Sequence, residues 1–212
     1  MLIQGQVGPA VSSTSLGAGT NPNLRLDNIG GLTATQLAPR YYETTYRRQT
    51  YTVANQAPTT LAAVLSGSYT GLLIANPTTS TVNVVVTKVG YAITVPAATA
   101  ASTLSLMTGT GATITTNLVT ARNRFVGGVG AQCLASNNLT LPGTAVVETI
   151  LDGATTTAFT SIGPKVTAGV VDLEGSLILP PGAFCAFYAT TAFTVSTTTG
   201  FSGSFQWVEV PL

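Results

Sequence analysis

The chain has no histidine in its 212 residues. That removes the commonest general base, the commonest zinc ligand and every nucleophile system in which imidazole activates Ser or Cys. Charge is almost as scarce: 8 basic and 7 acidic side chains amount to 7% of the residues and a net charge of +1, against about 25% charged residues in an ordinary soluble domain. No field of one sign is available to draw the chain onto nucleic acid or anionic lipid, so neither a nucleic-acid nor a membrane partner is expected. Cysteine is limited to Cys133 and Cys185, too few for a disulfide framework. Both sit among apolar residues and read as reduced thiols acting as small core side chains, with a single bridge as the alternative.

Long apolar runs are missing too. Leu72 to Ala75 and Leu177 to Leu179 are cut by Asn76, Pro180, Pro181 and Gly182, well before the ~20 residues of a membrane-spanning helix. The start, Met1-Leu2-Ile3-Gln4-Gly5-Gln6, has neither a basic opening nor a continuous apolar region, so no signal peptide is readable and synthesis and use in a cytoplasm are expected. No window holds apolar residues at helical spacing over three turns; Leu61, Ala62, Val64 and Leu65 allow one short helix.

What is present is hydrophobic and rich in Thr, Ser and Gly: 45% hydrophobic residues, mean hydropathy +0.41 and 22 glycines. Solubility at that composition calls for a surface of uncharged hydroxyl and amide groups, for burial of the apolar excess against partner subunits, or for both. Runs such as Thr78-Thr79-Ser80-Thr81 and Thr197-Thr198-Thr199 favour strands and turns over helix.

Residues 1–50 read as an extended N-terminal arm, because Gly5, Gly8, Gly17, Gly19, Gly30 and Gly31 alternate irregularly with Pro9, Pro22 and Pro39 and no period is sustained. Residues 51–212 read as a β-sandwich domain, a series of short apolar or alternating segments separated by turn signals. The clearest strands are Ser68 to Ala75, Thr81 to Val95, Ser102 to Thr108, Thr144 to Leu151, Ala158 to Ile162, Leu173 to Leu179, Ala183 to Thr190 and Gly200 to Val210, punctuated by Asn76-Pro77, Pro142-Gly143, Asp152-Gly153, Gly163-Pro164 and Pro181-Gly182. The predicted fold class is all-β.

Two of these strands are informative. From Phe201, the residues Phe201, Phe205 and Trp207 fall on one face and Ser202, Ser204 and Gln206 on the other, the pattern of a half-buried strand. Ala183 to Tyr188 is apolar on both faces. One face can meet the core, and the second asks for cover by the arm, a loop or a neighbouring subunit.

Motifs for chemistry are thin. Asp172 and Glu174 project to one face of a strand and could hold a hard cation, but a solvated pair guarding a sheet edge is the preferred reading. Gly127-Gly128-Val129-Gly130 and Gly109-Thr110-Gly111 are not followed by Lys-Ser or Lys-Thr and read as turns or bulges, not phosphate loops. Asn138-Leu139-Thr140 matches the glycosylation triplet, which has no consequence without secretion. No cofactor or metal is expected. The one basic and aromatic cluster is Arg47-Arg48 between Tyr46 and Tyr51; too few phosphate contacts are on offer there for nucleic acid. Arginine and tyrosine are the side chains enriched at protein interfaces, so Arg40, Tyr41, Tyr42, Tyr46, Arg47 and Arg48 are the candidate partner-binding residues.

The order of segments is itself suggestive: Arg40-Tyr41-Tyr42-Glu43, then Thr70-Gly71-Leu72-Leu73-Ile74-Ala75-Asn76-Pro77, Val84-Val85-Val86-Thr87-Lys88-Val89, Leu177-Ile178-Leu179-Pro180-Pro181-Gly182, and finally Phe205-Gln206-Trp207-Val208-Glu209-Val210-Pro211. In overall pattern the whole chain resembles small virion proteins of tailed bacteriophages, of the kind that decorate or cement the head. The resemblance implies a jelly-roll-like antiparallel sandwich that forms homotrimers outside the capsid shell, bridges major capsid protein subunits and has no enzymatic activity. The arm does the bridging in such proteins, and assembly in the host cytoplasm ends in the virion. Two alternatives stay open: a tail-associated or host-glycan-binding module using Trp207 and tyrosines as sugar platforms, and a β-rich glycan hydrolase, which needs a carboxylate pair in a cleft.

Overall fold

Alternation along Phe201 to Trp207 demands a strand with one apolar face, and that strand lies at the centre of a five-stranded sheet. The computed structural model of the chain describes residues 5–6, 24–25, 39–95, 102–111, 119–141, 144–154, 165–192 and 200–212. It divides into two compact units, Met1–Tyr42 and Glu43–Leu212. In the first unit β1 (Gly5–Gln6) and β2 (Leu24–Arg25) pair in parallel. Most of the arm expected over residues 1–50 lies outside the described residues, as does the strand expected at Ala158 to Ile162.

One short helix, α1 (Tyr42–Tyr46), precedes the strands β3 (Thr50–Ala54), β4 (Ser68–Ala75), β5 (Val82–Val95), β6 (Ser102–Thr110), β7 (Arg122–Asn123), β8 (Leu134–Thr140), β9 (Val146–Ala154), β10 (Lys165–Leu179), β11 (Ala183–Ala189) and β12 (Gly200–Pro211). They form two five-stranded antiparallel sheets, ordered β10-β5-β12-β3-β7 and β8-β4-β11-β6-β9. The fold is therefore all-β, a sandwich of two sheets around one core. Leu61 to Leu65 makes no helix. Leu61 is fully buried and the Ala62 amide donates to the Thr70 carbonyl at 2.9 Å, so tertiary burial overrides the local helical spacing.

In β12 the inward positions Phe201, Gly203, Phe205 and Trp207 are buried, and Ser202, Ser204 and Gln206 between them are only half-buried. The ring of Phe187 on β11 enters the space above Gly203, with its centroid 4.9 Å from Phe201 and 4.8 Å from Phe205. A Cβ at Gly203 would lie 2.6 Å from the Phe187 ring, so only glycine leaves room for the aromatic cluster that joins the sheets. Each buried phenylalanine contributes about 1.5–3 kcal/mol by removal from water.

β11 is the central strand of the second sheet, and both of its faces are covered. Phe187 and Cys185 face the first sheet, while Phe184 and Ala186 on the opposite side are also fully buried. Of the covers the sequence leaves open for that second face, a neighbouring subunit is not required.

Candidate partner-binding surface

The six residues expected to meet a partner fall on the two units, with the division after Tyr42. In the first, the Arg40 guanidinium stands 5.3 Å over the Tyr41 ring, a cation–π contact, and Tyr42 is 53% exposed with its amide donating to the Pro39 carbonyl at 2.8 Å.

In the second, Tyr46 is 62% exposed, and Arg47 pairs through Nε with Glu43 Oε1 at 2.6 Å, one helical turn apart. The helix ends in a Schellman motif: the Gln49 amide donates to the Thr44 carbonyl and the Arg48 amide to the Thr45 carbonyl, both at 2.9 Å, with Arg48 left-handed at φ 62°. Arginine occupies the position that glycine favours. Its guanidinium lies 5.0 Å over the Phe125 ring.

Arg122 and Arg124 join this surface, and sequence reasoning did not single them out. β7 pairs with β3 in the register Tyr51 to Asn123 and Thr52 to Arg122, and the Arg124 amide donates to the Thr50 carbonyl at 2.8 Å. The Asn123 side chain organises the junction. Its Nδ2 donates to the Arg48 carbonyl at 2.8 Å and to the Val129 carbonyl at 3.3 Å, and its Oδ1 accepts from the Phe125 amide at 2.8 Å. A Cβ at Gly128 would fall 2.6 Å from Asn123 Cγ, so the turn read from Gly127-Gly128 also makes room for this hub. Arg47, Arg48, Arg122 and Arg124 are all exposed. The available signal was Arg122-Asn123-Arg124-Phe125, a basic pair at strand spacing beside an aromatic.

Behind the surface, β12 carries a buried carboxylate two residues before its end. Glu209, 5% exposed, accepts from the Cys133 amide at 3.0 Å and Trp207 Nε1 at 3.3 Å through Oε1, and from the Gln132 amide at 3.2 Å through Oε2. It anchors the segment leading into β8. Burial, and then the Glu209 charge, raise the Tyr51 phenol above its ordinary value, against a lowering contribution from Asn123.

The remaining carboxylates gather elsewhere. β10 is an edge strand in which residues 173–176 bulge opposite the single residue Thr87. Within the bulge the Glu174 amide donates to Asp172 Oδ1 at 3.0 Å, and Lys88 Nζ lies 3.6 Å from Asp172 Oδ2. A charged, bulged edge resists pairing with another sheet, which accounts for the two acids. On β9, Asp152 Oδ2 accepts from the Tyr91 hydroxyl at 3.3 Å and Glu148 accepts from the Thr108 hydroxyl. Among the described residues no group of three or more Cys, Asp or Glu stands close enough to hold a metal.

Trp207 is fully buried and offers no platform to a sugar. Cys133 and Cys185 are free thiols, both buried, and burial pushes both above the usual thiol value. Gly109 and Thr110 lie at the end of β6, and Asn138 to Thr140 on β8. A shallow groove of about 570 Å³ crosses the first sheet, lined by small residues such as Gly90, Ala92, Ala168, Ser202 and Ser204 and by no charged side chain. No protein-family model, curated protein or solved structure matches the chain.

Proposed function

We propose that the chain is a non-enzymatic structural protein of a virion, a head decoration or cement protein of the tailed-bacteriophage kind. In this reading a jelly-roll-like sandwich forms a homotrimer, and an N-terminal arm bridges major capsid protein subunits through Arg40, Tyr41, Tyr42, Tyr46, Arg47 and Arg48. The observation that carries it is where the few charges and exposed rings lie. In a chain with 7% charged residues, the exposed tyrosines Tyr42 and Tyr46 sit within one short helix that Arg47 and Arg48 follow directly.

Tyrosine presents a large rigid ring at low entropic cost, and arginine presents several donors to partner carbonyls or carboxylates. Each buried anchor contributes on the order of 1–2 kcal/mol, and a symmetric lattice repeats it in every copy. The part of the contact made by the uncharged tyrosine rings is insensitive to salt. The glycan-binding alternative loses its best residue, since Trp207 belongs to the core.

The test is to delete residues 1–38 and, separately, to replace Arg40, Tyr41, Tyr42, Arg47 and Arg48 by alanine, then measure binding to expanded phage heads. A protein that stays folded and oligomeric but no longer binds supports the reading. One that aggregates on truncation, or binds undiminished, refutes it.

A further inference from the structure

Charge is sorted by edge across the sandwich. At the β7 end of the first sheet stand Arg47, Arg48, Arg122 and Arg124 with Glu43, four cations less one anion, or +3. The opposite end is β10, and β9 of the second sheet lies on the same side, because Tyr91 on the neighbouring β5 reaches Asp152. That side carries Glu148, Asp152, Asp172 and Glu174 with Lys88 and Lys165, four anions less two cations, or −2. Five strands at ~4.8 Å spacing set the two edges about 19 Å apart. That is more than twice the ~8 Å Debye length at physiological salt, so neither edge cancels the field of the other.

Both edges also expose apolar side chains. Beside the arginines, Val126 is 94% and Val129 63% exposed; on the acidic side, Val170 is 74% and Ile150 71% exposed. Nucleic acid would answer the arginines but not the valines. An edge bearing carboxylates and valines answers both, and this chain carries one.

We infer that the β7 edge of one copy docks on the β9–β10 edge of the next, a head-to-tail contact between copies of this chain in which Arg122 and Arg124 face Glu148 and Glu174. Opposite surfaces of the same subunit are used, so the contact is heterologous and closes into a ring or runs on according to the angle between the edges. Facing carboxylates discourage the alternative of two β9–β10 edges meeting each other.

The inference rests on the self-association part of the function proposed above and not on attachment to a head, which the truncation experiment reads separately. The test uses sedimentation of the full chain at about 50 mM NaCl, where screening is weak. The wild type associates, and raising the salt to about 500 mM weakens association on the order of tenfold. Arg122→Glu/Arg124→Glu gives two acidic edges, and Glu148→Lys/Glu174→Lys gives two basic ones while sparing the Asp172 contacts within the bulge. Each variant alone sediments as a monomer, and a one-to-one mixture associates again.

Circular dichroism checks the fold of each, and Arg122→Gln/Arg124→Gln serves if the reversed form is unstable. A wild type that stays monomeric, reversal without effect on mass, or a mixture that fails to associate overturns the inference. So does a monomeric wild type whose arginines instead retain a single-stranded oligonucleotide.

Discussion

Replacing Glu209 by alanine tests whether a buried charge holds the end of the sandwich. The carboxylate is 5% exposed and satisfies three donors at once: the Gln132 and Cys133 amides and the Trp207 indole. Each donor left without a partner in such a place costs about 1–3 kcal/mol. The sum is an upper bound, because Gln132 is exposed and its amide can turn to water. The expected loss is therefore about 3–5 kcal/mol, or roughly 6–20 °C in Tm for a domain of this size. Glu209→Gln keeps one acceptor oxygen and turns an amide donor toward the other N–H groups, so it loses about half as much. Urea unfolding followed by tryptophan fluorescence reads both, since Trp207 is the chain's single tryptophan. A loss under about 1 kcal/mol for the alanine variant, at unchanged slope with urea, would refute the reasoning.

Two further outcomes follow from local geometry. Arg48 at φ 62° pays a left-handed strain that glycine does not, so Arg48→Gly should be about 1 kcal/mol more stable than Arg48→Ala, both lacking the contact with Phe125; equal stabilities would contradict the Schellman reading. Burial raises the Cys133 and Cys185 thiols and the Tyr69 phenol, so the folded chain keeps protons that the unfolded chain releases above about pH 8.5. Stability is then full below that pH and falls as pH rises. Urea midpoints from about pH 7 to 10 should decline, and Cys133→Ala/Cys185→Ala should flatten the decline; midpoints constant to pH 10 would sink the idea.

Strands were legible where side-chain alternation or apolar runs met firm turn signals. Ser68 to Ala75 is bounded as expected, and β12 extends one residue beyond its expected end. β8 was missed because Leu134-Ala135-Ser136-Asn137-Asn138-Leu139-Thr140 is half polar, as suits an edge strand with one wetted side. β10 begins eight residues earlier than expected, at Lys165 instead of Leu173, because its bulge at residues 173–176 breaks the alternation that would have joined the halves. α1 could not be read from five residues with no apolar face, since its ends are held by backbone bonds and the Glu43–Arg47 pair.

The candidate surface was half legible for a related reason. Arg47 and Arg48 adjoin in sequence, whereas Arg122 and Arg124 arrive only through the β3–β7 register, a pairing across some seventy residues that no local pattern announces. The sorting of charge by edge is likewise a property of strand order, and the chain's near-neutral total hides it.

The two sealed thiols have a practical consequence. A chain whose only cysteines are enclosed and reluctant to ionise presents a blank background to maleimides and other thiol reagents. A single cysteine introduced at Val126, or at Val170 on the far side, would then be the one reactive handle in an otherwise native protein. Fluorophores, spin labels or heavy-atom clusters could be attached there without first stripping the chain of its own sulfur, so each edge could be watched directly during assembly.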